Sequence, residues 1–151
     1  MKTFLLLPLL FHLHIPIKWI YNNRFNVEFS CMSDTTTYML GDFTDDYGIT
    51  YSINDTLWTQ GPVIKYHILK WNKKEQYCIA RNDVDNPTEA GMYTRIDYMQ
   101  FIEMKPWTWG FCYTEYKASA EADAENAASA DHSNPRKGCN GFPFSRMKPA
   151  R

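Results

Sequence analysis

The sequence is short of three things, and each shortage narrows its function. It has no excess of charge of either sign: 16 Lys and Arg stand against 17 Asp and Glu, a net charge of −1 over 151 residues. Nucleic-acid binding needs a basic field, so no nucleic-acid partner is expected. It has no long apolar run: the stretch from Phe4 to Phe11 falls far below the roughly 20 residues of a spanning helix, so no transmembrane span is expected. It also lacks catalytic signatures. G-x-S-x-G, a Gly-rich phosphate loop, H-E-x-x-H and C-x-x-C are all missing. Neither an enzyme nor a cofactor is therefore expected.

Aromatic residues are plentiful at 16%, and hydrophobic residues reach 44%, which excludes a disordered chain. The length fits one domain. A domain of about 120 residues, left once a leader is set aside, buries roughly two-thirds of its unfolded surface, so a covalent tie would matter. The four cysteines are Cys31, Cys78, Cys112 and Cys139. Cys112 ends "WTWGFC" and Cys139 sits in "KGCNGF". A bridge between them would close a 27-residue loop around an acidic segment, worth about 3–4 kcal/mol by loop entropy. Cys31 and Cys78 would then pair with each other, lie buried or stay free, and sequence leaves the connectivity open.

"MKTFLLLPLLF" has the Lys and apolar core of a secretory leader. Residues 1–30 are read as that leader and 31–151 as a single β domain, placed outside the cytoplasm: periplasmic, secreted or envelope-associated. His12, His14 and Lys18 interrupt the pattern, and no small-x-small cleavage site follows. Cys31 stands where a lipid anchor would be attached, although "VEFSC" puts Glu28 where a small apolar residue is wanted. Further on, Glu121, Asp123, Glu125 and Asp131 precede a run that holds Arg136, Lys137, Arg146, Lys148 and Arg151. This reads as a solvated acidic helix and a basic tail that touches it, or as a basic tail that meets some other acidic surface. Asn54-Asp55-Thr56 matches a glycosylation sequon and reads as a turn.

Alternation points to strands. Tyr47, Ile49, Tyr51 and Ile53 alternate with Gly48, Thr50 and Ser52, the period of a half-buried strand. "GDFTDDYG" before them reads as a turn or bulge. "PVIKYHILKW", "QYCIARN", "GMYTRIDYMQF" and "WTWGFCYTEY" read as further strands, with a turn at residues 72–74 and a break near Lys105-Pro106. Short connections between them imply an antiparallel meander. Residues 118–132, "ASAEADAENAASADH", predict an Ala-rich helix, or otherwise a flexible linker. The closing "GCNGFPFSRM" reads as an irregular tail with Phe142 and Phe144 as docking anchors. The fold class is mainly β, a small barrel or strongly curved sheet with a C-terminal helix and tail.

Candidate sites are few. His12 and His14 sit in the leader. His67 stands alone in a strand, and with Asp97 makes only a distant suggestion of hydrolytic chemistry. Residues 82–89 hold Asn82, Asp83, Asp85, Asn86 and Glu89, oxygen donors that suit calcium. The spacing is not that of an EF-hand, and Asn, Asp, Pro and Gly are also ordinary turn residues. The turn is the reading taken, with no metal. Tyr93, Arg95 and Asp97 share one strand face, with Thr94, Ile96 and Tyr98 on the other. Arg95 and Asp97 are placed to pair, as a structural pair or as part of a ligand site. Trp107, Trp109, Phe111 and Tyr113 form a second period-two stripe, read as core or as a stacking platform.

The combination of "GDFTDDYGITYSINDTLWT", "YCIARNDVDNP", "GMYTRIDY", "WGFCYTEYKA" and "GCNGFPFSRM" resembles a group of small uncharacterised bacterial exported or lipoprotein-like proteins. The resemblance runs from about Tyr38 to Met147. It implies that Cys112 and Cys139 are paired, and it implies nothing catalytic. The N-terminus departs from the group, since leader and lipobox are poorly formed. Gly41-Asp42-Phe43 also resembles the G-x-W opening of lipocalin-type barrels, with Phe in place of Trp. That likeness implies a ligand cup in a small barrel. The expectation is a monomeric, non-catalytic extracytoplasmic binding protein for a small apolar or aromatic ligand, lined by Tyr93, Arg95, Asp97, Trp107 and Trp109. The alternative is a structural or protein-interaction module at the cell envelope.

Overall fold

Eight strands follow one another in antiparallel order, and the eighth returns to pair with the first, closing a barrel. The computed structural model describes residues 37–150. The strands are β1 Gly41–Asp45, β2 Thr50–Ile53, β3 Leu57–Gln60, β4 Ile64–Asn72, β5 Tyr77–Asn82, β6 Tyr93–Gln100, β7 Trp109–Ala118 and β8 Ser145–Pro149. Met147 of β8 sits between Trp109 of β7 and Asp45 of β1 in the ladder. Closure leaves no unpaired sheet edge. The mainly β meander expected from alternation is therefore a closed barrel. The expected leader, with His12 and His14, and Cys31 lie outside the described residues, and no described helix is long and apolar enough to cross a membrane.

An eight-stranded barrel is just wide enough for side chains to fill it, and aromatic rings fill this one. Trp58 and Trp109 are fully buried and meet edge to face, with centroids 5.9 Å apart. Phe43 packs on Trp109 at 5.2 Å, and Phe111 on Trp58 at 5.2 Å, both near-perpendicular. Such T-shaped pairs match ring edge to ring face. A 3-10 turn, Thr37–Met39, carries Met39 into the same cluster.

A second layer covers part of the outside. Residues 119–144 leave β7, form helix α1, Glu121–Glu125, and return to β8. Tyr77, Ile79 and Ala118 pack with Ala124 of α1, while Phe101, Cys112, Ala130 and Phe144 form a separate cluster. The Cys112–Cys139 disulfide fastens this layer to β7. Strands covered on both faces lose the in–out alternation of burial. That accounts for the unbroken burial of Tyr77–Ala80 and Thr94–Tyr98.

Several boundaries differ from the sequence expectations, each for a local reason. The helix expected over 118–132 is five residues long, and β7 runs to Ala118. A short Ala-rich helix is marginal alone, and the Arg95 guanidinium takes the carbonyls of Glu125 and Ala127. "GDFTD", expected as a turn, is β1, while Tyr47 lies in the β1–β2 turn that Asp45 organises by accepting from the Tyr47 and Ile49 amides. The expected irregular tail contains β8. Phe144 is buried as an anchor, but Phe142 is 71% exposed. The acidic helix pairs with Lys70 of β4, through Glu121 and Glu125, and among the described residues no ion pair joins it to the basic tail. The 54–56 segment is a turn, with Asn54 Oδ1 accepting from the Thr56 and Leu57 amides at 2.9 and 2.8 Å.

Gly138 marks the tightest point of the outer layer. Its amide donates to Asn134 and its carbonyl accepts from Asp131. A Cβ there would lie 2.0 Å from the Asp131 carbonyl oxygen and 2.6 Å from that of Asn134. Gly138→Ala is expected to cost about 1–3 kcal/mol of stability, the usual range for forced overpacking. A urea midpoint unchanged by the substitution would show that the loop yields.

Candidate functional site

Arg95 and Asp97 face away from the barrel interior, yet they do not meet water. Arg95 is 3% exposed and Asp97 0%. The outer layer seals them in. Arg95 Nε donates to Asp97 Oδ2 at 2.9 Å, and Nη2 to Oδ1 at 3.2 Å. Nη2 also donates to Ser129 Oγ at 2.7 Å, and Nη1 to the Glu125 carbonyl at 2.9 Å. The guanidinium carbon lies 3.8 Å from the Tyr77 ring centroid. Asp97 further accepts from Thr114 Oγ1 at 2.5 Å, with His132 Nε2 at 3.8 Å. A buried ion pair of this kind holds only if each lone pair and proton is matched. Here the guanidinium protons and the Asp97 oxygens are matched by the protein itself, while the neighbouring His132 Nε2 is buried without a hydrogen-bond partner among the described residues.

The five residues expected to line a ligand site are therefore dispersed. Tyr93 is half-buried on the outer cluster beside α1. Trp109 is fully buried inside the barrel, with Phe111 and Tyr113. Trp107 falls off that stripe, because β7 begins at Trp109. It lies outside, with Arg146 and Lys148 each 5.2 Å from its ring. His67 is exposed and pairs with Asp83 at 2.6 Å, not with Asp97.

Asn82, Asp83 and Asn86 of the 82–89 loop commit their side-chain oxygens to the chain. Asp83 Oδ1 accepts from the Asp85 amide. That amide, and the His67 ring after it, hold the Asp83 carboxyl below its ordinary range. Asn86 clamps Lys65 through both amide groups, at 2.9 and 2.8 Å. Asn82 donates to the Glu89 carbonyl and accepts from Thr94 Oγ1 at 2.6 Å. No group of three or more His, Cys, Asp or Glu side chains that could hold a metal ion occurs among the described residues.

These clamps build something else. They hold the β5–β6 loop over the barrel end where β3 passes to β4. A pocket of about 320 Å³ opens there, lined by Gln60, Tyr66, Asn82, Asn86, Tyr113 and Tyr116 among others. Its floor is aromatic, with the Tyr66 and Tyr113 rings 5.5 Å apart. Tyr113 donates its hydroxyl to Gln60 Oε1 at 2.9 Å. Burial, then the neighbouring Tyr66 and Tyr51, push the Tyr113 hydroxyl well above its ordinary range, so it stays a neutral donor. Burial raises Tyr66 likewise. Sequence reasoning placed Tyr113 on an aromatic stripe but missed Gln60 and Tyr66. The inward alternation of Ile64, Tyr66 and Ile68 was the available signal for Tyr66.

The class defined by fold and site is a closed, eight-stranded antiparallel meander barrel with a filled interior and a tyrosine-lined pocket at one end. No protein family, curated protein or solved structure matches the chain.

Proposed function

We propose that the protein is a non-catalytic extracytoplasmic binding protein that takes a small aromatic ligand at the mouth of its barrel. The observation that carries this reading is the 320 Å³ pocket walled by Tyr66, Tyr113 and Tyr116. Small-molecule sites start at about this size and often occupy barrel mouths. Tyrosine faces supply stacking area and the Gln60 amide a directional polar contact, while Asn82 and Asn86, bonded to the chain, hold the wall in shape. The lining is mostly ring and amide, so it suits a flat ligand with polar substituents better than an aliphatic chain. The intramolecular disulfide supports an oxidising compartment. A second reading, a structural or protein-interaction module at the envelope, is favoured by the filled barrel interior.

Titration with 4-hydroxybenzyl alcohol, followed by amide chemical shifts, separates the two. The binding reading expects saturable shifts at Asn82, Asn86 and Glu89, lost in Tyr116→Ser. Unmoved amides, together with a native mass spectrum free of any retained small molecule, would leave the module reading in its place.

A further inference from the structure

Three of the most exposed large apolar side chains sit on separate turns: Tyr47 at 79%, Ile102 at 84% and Phe142 at 71%. Tyr47 is in the β1–β2 turn, Ile102 in the turn after β6, and Phe142 in the turn that begins at Cys139. Turn chemistry favours Gly, Pro, Asn, Asp and Ser, and three exposed apolar side chains on neighbouring turns depart from it together. All three turns border one groove of about 720 Å³ on the barrel flank. Tyr47 lines it directly. Phe101 and Pro143, the chain neighbours of Ile102 and Phe142, line it too, with Phe144 as floor.

Among the described residues, the charge around this groove that is left without a partner inside the fold leans positive. Lys105, Arg136, Lys137, Arg146 and Lys148 occupy its turns and strand. Against them stand Asp45, Asp46, Glu103 and Asp131, of which Asp46 is bound to Arg146 at 2.8 Å, Asp45 is buried under the turn it organises, and Asp131 accepts from Ser133. Trp107 lies between the Arg146 and Lys148 heads.

We propose that this face docks on the surface of an anionic lipid bilayer, with the Tyr47, Ile102 and Phe142 turns seated at the headgroup–acyl boundary and the surrounding cations on lipid phosphates. A protein-binding patch gathers its apolar residues in a contiguous core and sends charge to the rim. Here the apolar tips come singly from three turns, with Lys105, Arg136 and Lys137 in the same or adjoining turns. Tyr, Trp, Lys and Arg beside protruding apolar groups are the residue set of a bilayer interface. Each Lys or Arg near such a surface adds attraction that falls off within a Debye length. The reading is independent of the mouth pocket, which uses other residues.

Co-sedimentation of the full chain with phosphatidylcholine vesicles, with and without phosphatidylglycerol, tests it. The native chain is expected to bind the anionic vesicles and to release them in high salt. The Tyr47→Ser/Ile102→Ser/Phe142→Ser variant is expected to bind at least about tenfold more weakly. Arg136→Gln/Lys137→Gln is expected to lose about tenfold on anionic vesicles only. All five sites are exposed, and near-UV circular dichroism checks that each variant is folded. The apolar run from Phe4 to Phe11 is common to every protein compared, so it cannot produce the difference. A native chain that ignores anionic vesicles overturns the proposal. So does anionic-vesicle binding that both variants retain in full, or turn substitutions that abolish only capture of a soluble acidic protein.

Discussion

Asp97→Ala is expected to remove about 3–5 kcal/mol of folding stability, because it strands the Arg95 guanidinium without its counter-charge in a buried site. Arg95 is 3% exposed, and its remaining partners are two carbonyls, a hydroxyl and the Tyr77 ring. None of these carries a charge. For a domain of this size the melting temperature should fall by roughly 10–20 °C. Deleting both charges should behave differently. Buried pairs replaced by apolar groups of similar volume are often neutral in stability, so Arg95→Met/Asp97→Leu is expected to recover most of the loss. Urea unfolding of the wild type, Arg95→Met, Asp97→Leu and the double variant completes the cycle. A single variant that loses less than about 1 kcal/mol would show that the outer layer admits water to the site.

Cys112→Ser/Cys139→Ser is expected to cost about 3.5 kcal/mol, the loop-entropy value for a tie between residues separated by 27 positions. The effect should not be independent of the first. The bridge anchors the segment that carries Glu125, Ala127 and Ser129, and these are the partners of Arg95. Groups within one network couple rather than add. Asp97→Ala should therefore cost less in the unbridged protein than in the bridged one, since a loosened layer lets water reach the guanidinium. Strict additivity of the two losses would show that α1 and the following turns stay seated without the disulfide.

Much of the strand content was legible because alternation is a local property. β4, β5, β6 and β7 stand within about two residues of where period-two patterning and turn residues place them. The expected Cys112–Cys139 pairing is also present. β8 was not legible. "SRMKP" carries one buried side chain, Met147, and its partner in β1 is Asp45, far away in sequence. β3 was missed for a similar reason, since "LWTQ" is short and only Trp58 in it is buried.

Alternation by itself determined that Tyr93, Arg95 and Asp97 share one face of a strand, opposite Thr94, Ile96 and Tyr98. It determined the same for Trp109, Phe111 and Tyr113 on β7. What it left open was which face looks inward, because period two separates two faces without naming either as the interior. Only barrel closure, through β8 and β1, turned the tryptophans inward and the Arg95–Asp97 pair outward. Only the return of residues 119–144 across β5, β6 and β7 then buried that outward pair, because its carbonyls and the Ser129 hydroxyl, brought from more than one helical turn beyond α1's start, complete the guanidinium's hydrogen bonds.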